Sequence, residues 1–136
     1  MKNKYNKSKK IFIHPVVKYD EIMKVTSSAD CGISFMENTC LSNYFSLPNK
    51  LFEYIQAGIP VIVSPTKDQS DLVKENKIGL VAEGFQHFQL EATMKHFTKI
   101  NKNSFDKQLD ITKKIFSWNT QEIKLKTVYL RLFSSL

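Results

Sequence analysis

The sequence predicts an α/β protein: a parallel sheet whose strands alternate with amphipathic helices. Three observations carry that prediction. Residues 59–63 form a short β-branched apolar run, the character of a strand covered on both faces. Immediately before it, Leu51, Phe52 and Ile55 recur at helical spacing and give one apolar face. The two kinds of segment then keep alternating without hairpin signals, which is the pattern of βα units.

Taken in order, residues 11–13 are a β-prone run closed by His14-Pro15, since proline ends ladder pairing. Residues 19–28 suit a helix, with Asp20 and Glu21 in the first turn, where the helix dipole favours them. Ile22 and Val25 are expected to face inward. Residues 31–36 read as the second strand, opened by Cys31, with Gly32 permitting close backbone approach. Residues 37–45 are polar and irregular. They follow a strand's carboxyl end, where open parallel sheets bind ligands, and are read as a ligand wall; the alternative is an ordinary surface loop.

The next helix has marked boundaries. Ser46 can cap its start, and Pro48 suits the first turn, where a missing N–H removes no intrahelical bond. Gly58 can close it in the left-handed conformation, and Pro60 blocks continuation into the strand at 59–63. Thr66 and Gln69 have capping-box spacing and open a helix reaching about Asn76, followed by a strand at 77–81. Residues 85–100 carry Leu90, Met94 and Phe97 as a core-facing stripe, and residues 105–116 form a further helix. Asn119-Thr120-Gln121-Glu122 is a second capping-box pattern opening the last helix, with Trp118 as its packing anchor. Four strands are expected in all.

Composition narrows the function classes. The 136 residues are one domain's worth, 42% apolar, and nothing approaches the ~18–20 consecutive apolar residues that span a bilayer. The N-terminal charges have no apolar segment behind them, so no secretory leader is expected. Cys31 and Cys40 are too few for a disulfide scaffold and fit no zinc spacing. They are expected as reduced thiols in a cytoplasmic protein. No cluster of His, Cys, Asp and Glu suggests a metal site. The net charge of +7 is concentrated in Lys2, Lys4, Lys7, Lys9 and Lys10. Residues 1–10 therefore read as a basic, disordered tail, either solvated or grazing an anionic membrane. Without interleaved aromatic platforms, nucleic acid is not an expected partner. His14 reads as a strand-end histidine, and His87 and His96 receive no role.

The chemistry concentrates at the helix after Ser46. Asn49 and Lys50 fall in its first turn, and Glu53 lies one turn deeper, at i+3 from Lys50. A helix N-terminus offers free N–H groups and partial positive charge, which suit a phosphate. A carboxylate one turn in could reach a sugar hydroxyl. The plainer alternative is a surface glutamate pairing with Lys50.

Pro48-x-Lys50-x-x-Glu53-Tyr54, followed by Ala57-Gly58-x-Pro60-Val61-Ile62, resembles the donor-binding core of retaining glycosyltransferases of the two-domain GT-B fold, family 4 group. It is most similar to the bacterial members that build surface polysaccharides. Ala29-Asp30-Cys31-Gly32-Ile33-Ser34 resembles the aspartate and strand that precede that motif. Ser70-Asp71-Leu72-Val73 with Gly79-Leu80-Val81 resembles the helix and strand that follow, and Phe116-Ser117-Trp118 the aromatic start of the family's final helix. The resemblance extends over residues 11–133.

That resemblance implies a nucleotide-sugar-binding domain over residues 11–136, Rossmann-like but incomplete. A full sheet of this kind has about six strands, so the leading βα units and the acceptor domain would be missing. It implies transfer of a sugar from a nucleoside diphosphate sugar to a hydroxyl acceptor in surface glycan synthesis. The partners would be the donor and, through a missing N-terminal domain, an acceptor glycan or lipid-linked acceptor. Ser46, Leu47, Pro48, Asn49 and Lys50 would meet the diphosphate, Glu53 the ribose hydroxyls, and no metal or further cofactor is implied. The protein would work in the cytoplasm or at the inner membrane face. Two departures are visible: the family's E-x7-E pattern places Phe45 where the first glutamate would stand, and its paired Arg and Lys would lie upstream of residue 1. The alternatives are an epimerase of the same fold acting on UDP-N-acetylglucosamine, or a non-catalytic domain that binds a partner or membrane through its basic tail.

Overall fold

The computed structural model describes residues 11–134. The basic tail expected over residues 1–10 lies outside the described residues. Seven α-helices and three strands follow in the order α1 (Tyr19–Thr26), β1 (Gly32–Ser34), α2 (Leu41–Tyr44), α3 (Asn49–Ala57), β2 (Val61–Val63), α4 (Lys67–Asn76), β3 (Gly79–Val81), α5 (His87–Phe97), α6 (Asp106–Ile115) and α7 (Trp118–Ser134), with a 3₁₀ turn (Lys102–Phe105) before α6. The fold is α/β with a parallel sheet flanked by helices, consistent with a partial Rossmann-like fold. The strands lie in the order β1-β2-β3, all parallel, with Ile33 opposite Ile62 and Ile62 opposite Leu80.

Three strands form among the described residues where four were expected. Residues 11–18 take no regular structure, and Phe12 is 87% exposed. A β-prone composition needs a neighbour to pair with, and among the described residues none is in place for residues 11–13.

Side-chain alternation divides the sheet into two faces. Val61 and Val63 point toward α3, α4 and α6, joining Leu51, Ile55, Leu72, Val73, Ile78 and Leu109 in the core. The row Ile33, Ile62 and Leu80 belongs to the opposite face. Gly32 N–H donates to Pro60 O at 2.9 Å, and Ser64 N–H donates to Ser34 O at 3.2 Å. The backbone groups of Gly32 and Ser34 therefore face β2, and those of Ile33 face the open edge. Tyr54 closes over this strand from α3. A Cβ added at Gly32 would stand 2.3 Å from its ring, so the close approach requires glycine.

The boundaries of α3 follow their residue types, with one correction. Gly58 ends the helix at φ 73°, and its N–H donates to Ile55 O. Ser46 does not cap the start: Pro48 occupies the N-cap position at φ −70°, ψ 145°, with no side-chain cap. The ligand wall expected at 37–45 contains α2, so it is only partly irregular.

Further expectations are corrected. Thr66 makes no side-chain cap; instead Gln69 Nε2 donates to Thr66 Oγ1 at 3.0 Å with both side chains buried. The capping box lies later, between Gln86 and Gln89 at the start of α5. On α5 the buried positions are Thr93 and Phe97; of the expected stripe Phe97 is buried and Leu90 half-buried, whereas Met94 is 41% exposed. Val25 is exposed and α1 buries none of its residues, resting on α3 by half-buried contacts. At the chain's end Phe116 packs on Phe52 with ring centres 5.6 Å apart, whereas Trp118 is 69% exposed and anchors nothing. Helix α7 opens one residue before the expected pattern, and the Ser117 hydroxyl accepts from Thr120 N–H at 3.3 Å.

Candidate functional site

Parallel βα units bring every helix N-terminus to the carboxyl edge of the sheet. The start of α3, after β1 and its loop, lies at that edge. So do the starts of α4 and α5.

At the tip of α3, Leu51 N–H already donates to Pro48 O at 2.9 Å. The amides of Asn49 and Lys50, ahead of it, have no intrahelical acceptor. No side chain supplies one, since the helix is uncapped. Asn49 is exposed and Lys50 half-buried. Among the described residues no acid lies within ion-pair range of Lys50, so the i+3 pairing with Glu53 does not form. By contrast Lys67, which opens α4, is paired with Asp71, and that carboxylate raises its pKa.

Glu53 is exposed one turn below the tip. Its charge adds to the upward shift of the neighbouring Tyr54 phenol, which burial chiefly causes. Asn49, Lys50 and Glu53 therefore share one solvent-facing helix end. Pro48 is half-buried and Leu47 exposed beside it. Ser46 plays a different part: its hydroxyl shares its proton between Met36 Sδ at 3.2 Å and Asn43 O at 3.0 Å, fastening the approach to the helix.

Beneath this edge lies a buried polar cluster that the residue pattern did not disclose. Ser34 Oγ donates to Gln69 Oε1 at 2.6 Å, and Gln69 Nε2 donates to Thr66 Oγ1. Met36 N–H donates to Ser64 Oγ at 3.1 Å. Ser34, Ser64, Thr66 and Gln69 are all fully buried. The cluster ties the ends of β1 and β2 to the first turn of α4, and through Met36 and Ser46 to the approach of α3. Its one legible signal is that β1 ends in serine and β2 is followed at once by another, Ser64.

Above β2 the same edge is hollowed into a cleft of about 380 Å³, lined by Glu37, Asn38 and Thr39 after β1 and by Phe85, Gln86 and His87 at the start of α5. Residues 37–39 thus do form one wall of a cleft. The α3 side chains are not part of its lining.

Cys31 is half-buried at the head of β1, and burial chiefly raises its thiol pKa to about 11. It is therefore a poor nucleophile at neutral pH. His14 is exposed, its Nδ1 2.9 Å from Pro15 O. Among the described residues no group of three or more His, Cys, Asp or Glu is arranged to hold a metal, and no helix is long and apolar enough to cross a membrane.

No curated protein matches the chain. Residues 1–121 match the family model described as glucosyltransferase 3-like, C-terminal domain; the chain belongs to that family and is a glycosyltransferase-type domain.

Proposed function

We propose that the chain is the donor-binding part of a retaining GT-B glycosyltransferase, which moves a hexose from a nucleoside diphosphate sugar to a hydroxyl acceptor in surface glycan synthesis. The observation that carries this reading is the uncapped tip of α3, with Lys50 in its first turn and Glu53 exposed one turn below, neither ion-paired among the described residues.

The chemistry follows from that arrangement. The Asn49 and Lys50 amides and the positive end of the helix receive the diphosphate, and the Lys50 ammonium adds a point charge. Glu53 accepts hydrogen bonds from the ribose diol, which fixes the nucleoside relative to the phosphates. As the glycosidic bond breaks, negative charge grows on the departing diphosphate. Donors already aimed at that charge lower the barrier without reorganising. Ser46, Leu47 and Pro48 hold the tip in place; Pro48 has no N–H and donates nothing itself. The acceptor is supplied by another domain or chain.

Calorimetric titration with UDP, GDP and ADP tests the proposal. One of the three should bind, and Glu53→Ala should weaken that binding by ~1.5–3 kcal/mol, the range for hydrogen bonds to a charged group. Unchanged affinity in the variant would remove the ribose role. One observation favours a second reading, a non-catalytic partner- or membrane-binding domain: α7 exposes Leu130, Leu132 and Phe133. Binding of none of the nucleotides would give that reading preference.

A further inference from the structure

The free margin of β1 and the chain ahead of α1 are two unfinished parts of one sheet. Among the described residues β1 is an edge strand, and the backbone groups of Ile33 face outward from it. The Ile33 carbonyl takes the Tyr54 hydroxyl over a long 3.4 Å, and its N–H finds no acceptor among the described residues. A bare edge of this kind pairs with an extended segment that brings its own backbone groups.

Residues 11–13 are such a segment. Ile11, Phe12 and Ile13 are all exposed, and residues 11–17 make no backbone–backbone hydrogen bond among the described residues. Their β-branched and aromatic side chains suit a strand, and they gain by leaving water.

The topology identifies the slot. The chain steps from β1 to β2 to β3 in one direction, with α3 and α4 on one face of the sheet. Helix α1 rests on α3 and so lies on that face too. With crossovers of the same right hand, a strand ahead of α1 belongs on the free side of β1, parallel to it. Charge agrees with that direction. Lys9 and Lys10 adjoin residue 11, and a parallel arrangement brings that end of the segment to the head of β1. Asp30 stands there, paired with Lys102 but still largely exposed. An antiparallel arrangement would bring the basic end to the carboxyl edge, toward Lys50.

The chain's own segment does not fill its own slot. Pro15 fixes its φ and keeps His14 out of the helical region, and Val16 beyond it is wholly exposed. The arm therefore stays off its own sheet, where a neighbouring molecule meets it. Residues 14–18 can span about 17 Å, at about 3.3–3.6 Å each, against about 4.8 Å between neighbouring strands. The edge of a second molecule is within that reach.

We propose that two copies of this chain exchange these arms, each adding residues 11–13 as a fourth, parallel strand to the other's β1. The exchange is reciprocal, so it closes as a dimer. It gives the Ile33 N–H a carbonyl acceptor and displaces only the long Tyr54 contact. Nothing in it depends on the nucleotide reading.

Sedimentation equilibrium and amide exchange on the full chain test the two halves of the proposal together. The wild-type chain should pass from one chain's mass to twice that mass as concentration rises. The Ile33 amide should become protected over the same range. Phe12→Pro should abolish both changes, since proline stops ladder pairing, whereas Phe12→Val should keep both. Phe12 is 87% exposed, so the dilute monomers of all three chains should share one thermal midpoint. A monomer at every concentration overturns the proposal. If its Ile33 amide is protected and Phe12→Pro exposes it, the arm folds onto its own edge; if the amide exchanges freely, the edge stays bare. A dimer that survives Phe12→Pro, or that leaves the Ile33 amide exchanging freely, also overturns it and assigns self-association to another surface.

Discussion

Helices α3 and α7 are both rich in apolar residues and use them in opposite ways. In α3 the apolar side chains fall on one stripe, so Leu51 and Ile55 reach the core while Asn49 and Glu53 stay at the surface. In α7, Val128, Tyr129 and Leu130 are consecutive and followed by Leu132 and Phe133; successive residues turn by about 100°, so no single face collects them. None of α7's residues is buried. Apolar content does not decide burial; periodicity and an available neighbour do. The candidate site stands on the half of the molecule where both are present.

The largest test of that contrast is a pair of truncations. Leu51→Ala should cost ~2–5 kcal/mol in denaturant unfolding, the range for a buried leucine, whereas Leu130→Ala should change stability by no more than ~0.5 kcal/mol. Equal losses would show that Leu130 is as deeply packed as Leu51. A second test sharpens what holds the ordered half together at the sheet edge. Gln69→Ala should cost ~1–3 kcal/mol, because Ser34 and Thr66 are left buried without their partner. Adding Ser34→Ala to Gln69→Ala should recover part of that loss, since removing both ends of a buried hydrogen bond is cheaper than removing one. Full additivity of the two substitutions would show that the pair acts independently.

The smallest effect is a pH dependence at β1. The Cys31 thiol has its pKa raised from 9.0 to about 11. Between those values the unfolded chain loses the proton and the folded chain keeps it. Stability from this group is fully present below pH 9 and declines as pH rises toward 11. Cys31→Ala should flatten that alkaline slope in pH-dependent unfolding, and iodoacetamide at pH 8 should label exposed Cys40 well before Cys31. Equal labelling would place the head of β1 in solvent, alongside α7 rather than α3.

The parts of the fold legible in the sequence were those set by neighbours in the chain. Gly58, Pro60 and the β-branched run after them fix the end of α3 and the start of β2 through local conformational limits. The placement of Asn49, Lys50 and Glu53 on one helix end followed from the helical repeat alone. What escaped was set by distant contacts. Thr66 and Gln69 have the spacing of a capping box, but Gln69 turns inward because Ser34, 35 residues earlier, bonds to it. The cleft over β2 joins two loops separated by a whole strand-helix-strand unit, and nothing in either loop announces the other. Residues 11–13 failed in the reverse sense, having the composition of a strand without a partner strand.

Tyr54 has one further consequence. Its hydroxyl donates to the carbonyl of Ile33 at 3.4 Å, one of the groups that β1 turns toward the unpaired side of the sheet. Bare strand margins invite other molecules to stack onto them, which is a route to fibres. A phenol laid across the rim takes up one docking point for an incoming chain, and the ring's bulk shields the strand just where glycine leaves it thinnest. The residue that seats α3 on the sheet thereby also covers part of that margin.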